Sequence, residues 1–244
     1  MKKGFSWLGS VVLTLALAGC GGGGGGGGGS ADYDPAVFFV AASPDAGKLT
    51  WAIDGKVLST PQSFLQGSGT FAKVSKDGDL DTELFEQGNP ESFDSRVIKY
   101  TLNESTLLLA VGFKNFGTEF EKRLKLHRFV ANRSTPNGNR ARVYFFHGLM
   151  FEAGFFLPSI RVQSPGKTPQ YVTEDMALGN ASEIGMDAGV QEVVVRRTGT
   201  EKDYLKTKLN LVAGKVFLGL VTGVVGRAGA DKAQIKLIEL PTRD

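Results

Sequence analysis

A chain of 244 residues with 41% hydrophobic residues is long enough to bury one large core or two ordinary ones. Its 28 Lys and Arg stand against 25 Asp and Glu, and two of those cations, Lys2 and Lys3, lie in a segment expected to be removed. The near-neutral remainder argues against a nucleic-acid partner, which calls for a basic face.

The chain opens with Lys2 and Lys3, then a mostly apolar stretch from Phe5 to Ala18, then small residues before Cys20. This is the layout of a secretory signal, and the apolar stretch is shorter than the roughly 20 residues of a bilayer-spanning helix. Leu17-Ala18-Gly19-Cys20 resembles the lipobox of bacterial lipoproteins. The resemblance implies cleavage before Cys20 and acylation of its thiol and new amino group. A thiol is the natural nucleophile for that bond, and more than one acyl chain anchors stably. The family retains lipoproteins in the inner membrane with Asp after the cysteine; Gly21 at that place implies the outer membrane. Cys20 is the only cysteine, so its lipidation leaves no thiol for a disulfide or a cysteine zinc site.

Gly21 to Gly29 and Ser30 follow. Glycine loses the most conformational entropy on ordering. No strand precedes the run and no Gly-Lys-Ser/Thr follows it, which excludes a phosphate-binding loop. The run is expected to be a flexible tether spanning about 16–19 Å on average and roughly 33–36 Å at full stretch.

The body then alternates or runs short in apolar residues between Gly, Pro, Asn and Asp, the pattern of strands and turns. Strands are expected at Val37–Val40 and Leu49–Ile53, the latter ending in the hairpin dipeptide Asp54-Gly55. Thr70–Val74 and Leu80–Phe85 flank Lys76-Asp77-Gly78-Asp79 as a second expected hairpin. Arg96–Leu102, Thr106–Val111 and an alternating Phe120–Val130 follow. In that last stretch Lys122, Arg123, Lys125, His127 and Arg128 read as the wet face of a strand rather than a binding patch. The polar segment Ala131–Asn139 reads as a boundary.

Beyond it the pattern restarts. Arg142–Phe146 parallels Ala36–Val40, and Ile160–Val162 with its Ser-Pro-Gly turn parallels Ala52–Ile53 with Asp54-Gly55. Val190–Val195 parallels Leu80–Phe85, Leu211–Leu218 parallels Leu102–Leu109, and Ile235–Leu237 parallels Leu124–Leu126. The expected architecture is all-β: two tandem immunoglobulin-like β-sandwich repeats at 36–131 and 141–242, joined by a linker at 132–140. A signal peptide at 1–19 and a lipidated tether at 20–35 precede them. A single larger barrel is the competing reading.

Ala41-Ala42-Ser43-Pro44-Asp45-Ala46 follows the first expected strand and resembles the His-Ala-Ser-Pro-Asp-Ala signature of a bacterial domain-of-unknown-function family found, often in tandem, in secreted proteins and lipoproteins. Ala41 replaces the family's histidine. In the second copy His147 takes that place, but Gly148-Leu149-Met150 lacks Ser-Pro-Asp. The resemblance implies fold and address, not activity. Physically, Ser-Pro-Asp-Ala reads as a turn.

Candidates for chemistry are few. His127 and His147 have no ligand spacing and no Gly-x-Ser-x-Gly elbow beside them. His127 is expected to face solvent, and His147 to be a hydrogen-bonded structural imidazole. Asp77, Asp79, Asp81 and Glu83 alternate as the wet face of a strand and fail the EF-hand pattern at Thr82 and Gly88. The pairs Phe38-Phe39 and Phe145-Phe146 cannot each enter one core; the second ring of each is expected to pack on the other repeat or on an edge loop. Phe155-Phe156 is the better candidate for an exposed partner surface. No catalytic, metal or cofactor residues are assigned.

The expected function is a non-enzymatic binding or scaffolding lipoprotein of the cell envelope. Its partners are the membrane, through the lipid on Cys20, and an envelope protein or glycan. The alternatives are an envelope hydrolase acting on glycans or esters through carboxylates, and a carbohydrate-binding module stacking sugar on Trp51 or Tyr171.

Overall fold

Successive side chains of a strand point to opposite faces, so an alternating sequence builds sheets that present two different surfaces. The structure, a computed structural model, describes residues 35–114, 123–151, 157–166 and 168–243. Among them the strands are β1 Ala36–Ala42, β2 Leu49–Ile53, β3 Lys56–Val57, β4 Ala72–Lys73, β5 Gly78–Glu86, β6 Ser92–Tyr100, β7 Ser105–Val111 and β8 Lys125–Val130. The later ones are β9 Arg140–Phe151, β10 Ile160–Gln163, β11 Ala181–Asp187, β12 Gly189–Arg197, β13 Asp203–Leu211, β14 Val216–Val225 and β15 Gln234–Leu240. The fold is all-β, in four sheets ordered β3-β2-β5-β6, β4-β1-β7-β8, β11-β9-β14-β15 and β10-β12-β13.

Three apolar layers separate these sheets. Phe39, Trp51, Leu84, Tyr100 and Leu108 cluster between the β3-β2-β5-β6 and β4-β1-β7-β8 sheets. Phe145, Ile160, Val195, Leu209 and Phe217 cluster between the β11-β9-β14-β15 and β10-β12-β13 sheets. Between the two inner sheets lie Phe38, Val40, Leu107 and Leu109 against Tyr144, Phe146, Leu218 and Leu220. The paired phenylalanines are thereby divided by strand parity. Phe39 and Phe145 fill the outer cores, while Phe38 and Phe146 pack between the halves, and all four are at most 1% exposed. Burial of each such ring contributes about 1.5–3 kcal/mol.

Each inner sheet has a parallel central pair. β1–β7 registers Val37 with Thr106 and Phe39 with Leu108; β9–β14 registers Val143 with Phe217 and Phe145 with Gly219. Moving β1 by 106 residues and β7 by 111 lays the first ladder on the second. Leu109 therefore corresponds to Leu220, not to Leu218 as the apolar pattern indicates. A two-residue slip keeps every side chain on its own face, so alternation cannot detect it.

Asp54-Gly55 forms the expected hairpin, pairing Ile53 with Lys56, with φ of 48° and 73° as a type I′ turn requires. The hairpin expected at Asp77-Gly78 does not form. β4 pairs with β1 while β5 pairs with β2 and β6, so this turn carries the chain from one sheet to another. The boundary segment after β8 is tied down. Asn132 N–H donates to Tyr144 Oη at 2.7 Å. Arg133 Nε donates to Ser105 Oγ at 2.6 Å, its Nη1 donates to Pro241 O at 3.0 Å, and its guanidinium lies 3.8 Å from the Phe71 ring centre.

Candidate functional site

The Ser-Pro-Asp turn leaves β1 and closes on the end of its parallel neighbour. Ser43 is buried and its hydroxyl donates to Asp45 Oδ1 at 3.1 Å. The same oxygen accepts the Lys114 backbone N–H at 2.8 Å. Lys114 Nζ lies 2.6 Å from Glu86 Oε2, and Gly47 N–H donates to Glu86 Oε1 at 2.7 Å. These bonds hold the Glu86 carboxyl below its ordinary range, Lys114 contributing most and the Gly47 amide next. The signature is thus a clasp between the ends of β1, β5 and β7, as its turn chemistry indicates.

His147 stands on β9 beside Val221 of β14, as Ala41 stands on β1 beside Ala110 of β7. The strand face that carries Ala41 and His147 therefore faces an outer core. His147 is fully buried. Its Nδ1 accepts the Leu149 N–H at 3.1 Å, and its Nε2 lies 3.1 Å from Pro158 O. With Nδ1 accepting, the proton sits on Nε2 and both ring nitrogens are used. Burial drives its pKa down to about 4. It is a structural imidazole.

His127 corrects the expectation of a solvent-facing ring. Leu124 and Leu126 enter the first core, and the opposite parity of β8 turns towards the second half. His127 packs edge-on to Phe146 at 6.0 Å, and Phe129 lies 5.6 Å from Tyr144. Burial and the Arg96 charge lower the His127 pKa to about 4, with Asp94 opposing. The supposed wet face of this strand is in part an interface.

On β5, Leu80, Thr82 and Leu84 are buried while Asp79 and Asp81 are exposed and Glu83 half-buried. The acidic row is the outer face of its sheet. Thr82 Oγ1 lies 2.9 Å from the buried Tyr100 hydroxyl, whose pKa burial pushes up to about 12. Trp51 is 0% exposed and cannot stack on a sugar. Tyr171 packs against the second core and its hydroxyl donates to Asp187. Trp51 therefore supplies no aromatic platform, while Tyr171 is half-buried. Cys20 and Phe155-Phe156 lie outside the described residues. Among the described residues the buried polar side chains are hydroxyls, Gln62, Gln163 and His147, not carboxylates.

A concavity opens on the outer face of the β10-β12-β13 sheet. It measures about 760 Å³ and is lined by Arg161, Gln163, Pro169, Val172, Arg196 and Thr200, among others. Parity explains the set. Ile160 and Val162 of β10 enter the core, so Arg161 and Gln163 point outward, and Arg161 registers with Arg196 across the ladder. Each guanidinium is paired. Arg161 Nη2 lies 2.8 Å from Asp175 Oδ1. Arg196 lies 2.7 Å from Glu201 Oε2 and 2.6 Å from Asp203 Oδ1, and its pKa is raised, by Asp203 first. Sequence reading missed this cluster. Its one local signal is the repeated placing of arginines outward on successive short strands, and their meeting depends on the ladder register.

No family model and no curated protein matches the sequence. Among solved structures, the chain is similar in part to the TIE protein of Bacillus anthracis, at 7% identity and a TM-score of 0.26 over 78% of this chain. The match spans about a third, 34%, of that protein's chain.

Proposed function

We propose that the protein is a cell-envelope lipoprotein of non-enzymatic binding or scaffolding type. In this reading two immunoglobulin-like β-sandwich repeats are held at the outer membrane by acyl chains on Cys20 and the glycine tether. The carrying observation is Leu17-Ala18-Gly19-Cys20, set behind a basic and then apolar start and ahead of Gly21–Gly29. The matching ladders of β1–β7 and β9–β14 support the tandem reading. The clasp made by the Ser-Pro-Asp turn belongs to the first half alone and gives that turn a structural part to play.

The test is Cys20→Ser, followed by membrane fractionation and metabolic labelling with a fatty acid. The variant is expected to leave the membrane fraction and to carry no label. Retention of both would end the lipoprotein reading. Trimming the glycine run is expected to leave the thermal unfolding of the body unchanged, since a tether contributes no packing.

A further inference from the structure

The chain enters the described body at Pro35, whose carbonyl accepts the Val74 N–H at 2.8 Å. Beside it the Ala36 N–H donates to Glu104 O at 3.2 Å. From there one end of the molecule runs bond by bond into the second half. Arg243 Nη1 donates to Asn103 O at 2.9 Å, and the Arg243 N–H donates to Arg133 O at 2.9 Å. Arg142 Nη1 donates to Ser134 O at 2.8 Å. The Gly214 N–H donates to Arg140 O at 2.9 Å and the Ala188 N–H to Asn139 O at 3.0 Å. The starts of β1, β7, β9, β12 and β14 therefore share this end.

This end is apolar where turns ordinarily are not, since turns favour Gly, Pro, Asn, Asp and Ser. Leu102 lies in the turn that the Glu104 N–H closes on Thr101 O at 3.1 Å. Val212 opens the turn that the Lys215 N–H closes on its carbonyl at 3.3 Å. Asn103 and Gly214 take left-handed φ of 66° and 73° at the third residue of each turn. Leu102 is 40% exposed, Val212 50%, and Val190, one residue into β12, 66%. Val130, the last residue of β8, adds a fourth exposed apolar side chain. Single exposed apolar residues are ordinary, whereas several gathered at one end mark a contact surface. The charges beside them suit phosphate headgroups. Lys56 and Lys73 are exposed, while Asp54, Glu104 and Glu239 are each held by a cation, Lys76, Arg128 and Lys215.

We propose that this end is a membrane-contacting surface. Leu102, Val130, Val190 and Val212 enter the boundary between headgroups and acyl chains, with Lys56 and Lys73 among the phosphates. The place where the chain leaves the body selects this occupant. Fifteen residues separate Cys20 from Pro35, and a coil of that length spans about 19–23 Å on average. β14 has ten residues, about 33 Å of strand. An anchor on Cys20 therefore holds the end carrying Pro35 nearer the bilayer than the far ends of the strands. A short tether keeps what it carries at a local concentration of about millimolar, so a contact of a few side chains is populated without high intrinsic affinity. Lysine stems lie along apolar surface while their charges stay among the headgroups. This deepens the lipoprotein reading by naming the face that meets the membrane, and rests on it.

The test places the full acylated chain in vesicles of phosphatidylethanolamine and phosphatidylglycerol. Acylation occupies the Cys20 thiol, so a single introduced cysteine alone takes an environment-sensitive fluorophore. Leu102→Cys and Val212→Cys report this end, and Glu91→Cys, ahead of β6 at the opposite end, is the control. Labels at Leu102 and Val212 are expected to be quenched by lipids carrying a nitroxide at a depth of about 5–10 Å, and the label at Glu91 is not. Leu102→Asp with Val212→Asp is expected to bring the quenching of a label on Val190→Cys down to the Glu91 level. The melting temperature should hold, because both side chains are exposed. The proposal is overturned if labels at Leu102 and Val212 are quenched no more than the one at Glu91, or if the two aspartates leave the Val190 label unchanged. A second anchor separates this outcome from that of the lipoprotein reading. The chain from Gly21 onward, held on a nickel-chelating lipid by an N-terminal histidine tag, should give the same quenching. Quenching on that anchor with no acyl label on Cys20 would keep the surface and end the lipoprotein reading. No quenching on either anchor, with Cys20 acylated, would do the reverse.

Discussion

His127 of the first half rests directly on Gly179 of the second: a Cβ built on Gly179 would lie 1.9 Å from His127 Nδ1. Gly179 also has φ of +82°, and its N–H donates to His147 O at 2.8 Å. Glycine is required twice, by the left-handed backbone and by the ring against it. Gly179→Ala is expected to cost about 2–4 kcal/mol, combining the left-handed penalty with overpacking of a buried contact. Urea unfolding measures it. Gly166→Ala is the control, because its φ of +111° carries the backbone penalty with nothing within 4 Å. Equal losses in the two variants would show that the His127 contact contributes nothing.

The two histidines make stability pH-dependent on the acid side. Each is held neutral, with a pKa near 4 against 6.5 when unperturbed. The groups around His127 are Arg96, Asp94 and Lys125, while His147 meets Pro158 O and feels His127. Below pH 6.5 the unfolded chain takes up protons that the folded chain refuses until about pH 4. Stability is therefore full above the upper value and falls towards the lower one, by at most about 1.4 kcal/mol per pH unit for each histidine. Urea midpoints across this window should decline, and His127→Gln should flatten the decline. A midpoint constant over the window would refute the neutral assignment.

Asp45 joins the signature turn to the far end of β7 through one oxygen, which takes both the Ser43 hydroxyl and the Lys114 amide. Asp45→Ala is expected to destabilise by about 1–2 kcal/mol, the range for losing a side-chain acceptor of backbone N–H groups. Asp45→Asn keeps an oxygen at that position and should retain most of the stability. If alanine and asparagine behave alike in denaturant titration, the clasp is not what the signature supplies.

What could be read from the sequence follows from period. The alternation over β5 places Leu80 and Leu84 inside and Asp79 and Asp81 outside, as observed. The doubled phenylalanines reveal that β1 and β9 are buried on both faces, which strand parity makes unavoidable. What failed is whatever depends on register or on which sheet a strand joins. A local pattern cannot distinguish a turn that reverses a strand, as at Asp54-Gly55, from one that changes sheet, as at Asp77-Gly78. Nor does it show that β8 turns His127 and Phe129 towards another half, since polar and half-buried positions alternate alike. The Arg161–Arg196 pairing is invisible for the same reason: the residues are far apart in sequence and meet only through the β10–β12 ladder.

Gly112 and Gly223 carry the corrected register furthest, because they stand 111 residues apart, as do the ladders of β7 and β14. Both have left-handed φ, +118° and +90°. A Cβ on Gly112 would lie 2.3 Å from Arg123 O, and one on Gly223 would lie 2.1 Å from Lys232 O. The bridges Phe113–Arg123 and Val224–Lys232 follow each glycine directly. At both places the chain crosses close under the backbone that leads into the next strand, and backbone cannot yield as a flexible side chain can. Gly112→Ala and Gly223→Ala are each expected to destabilise by more than about 3 kcal/mol, beyond the 1–2 kcal/mol of left-handed strain alone. Gly78→Ala supplies that baseline, having φ of +112° and open space around it. Thermal or urea unfolding of the three variants decides the point. Losses at Gly112 and Gly223 that match each other and exceed the Gly78 loss would mark the crossing as a shared device of the two halves. A Gly223→Ala protein as stable as Gly78→Ala would mean that the strand after it can shift to make room.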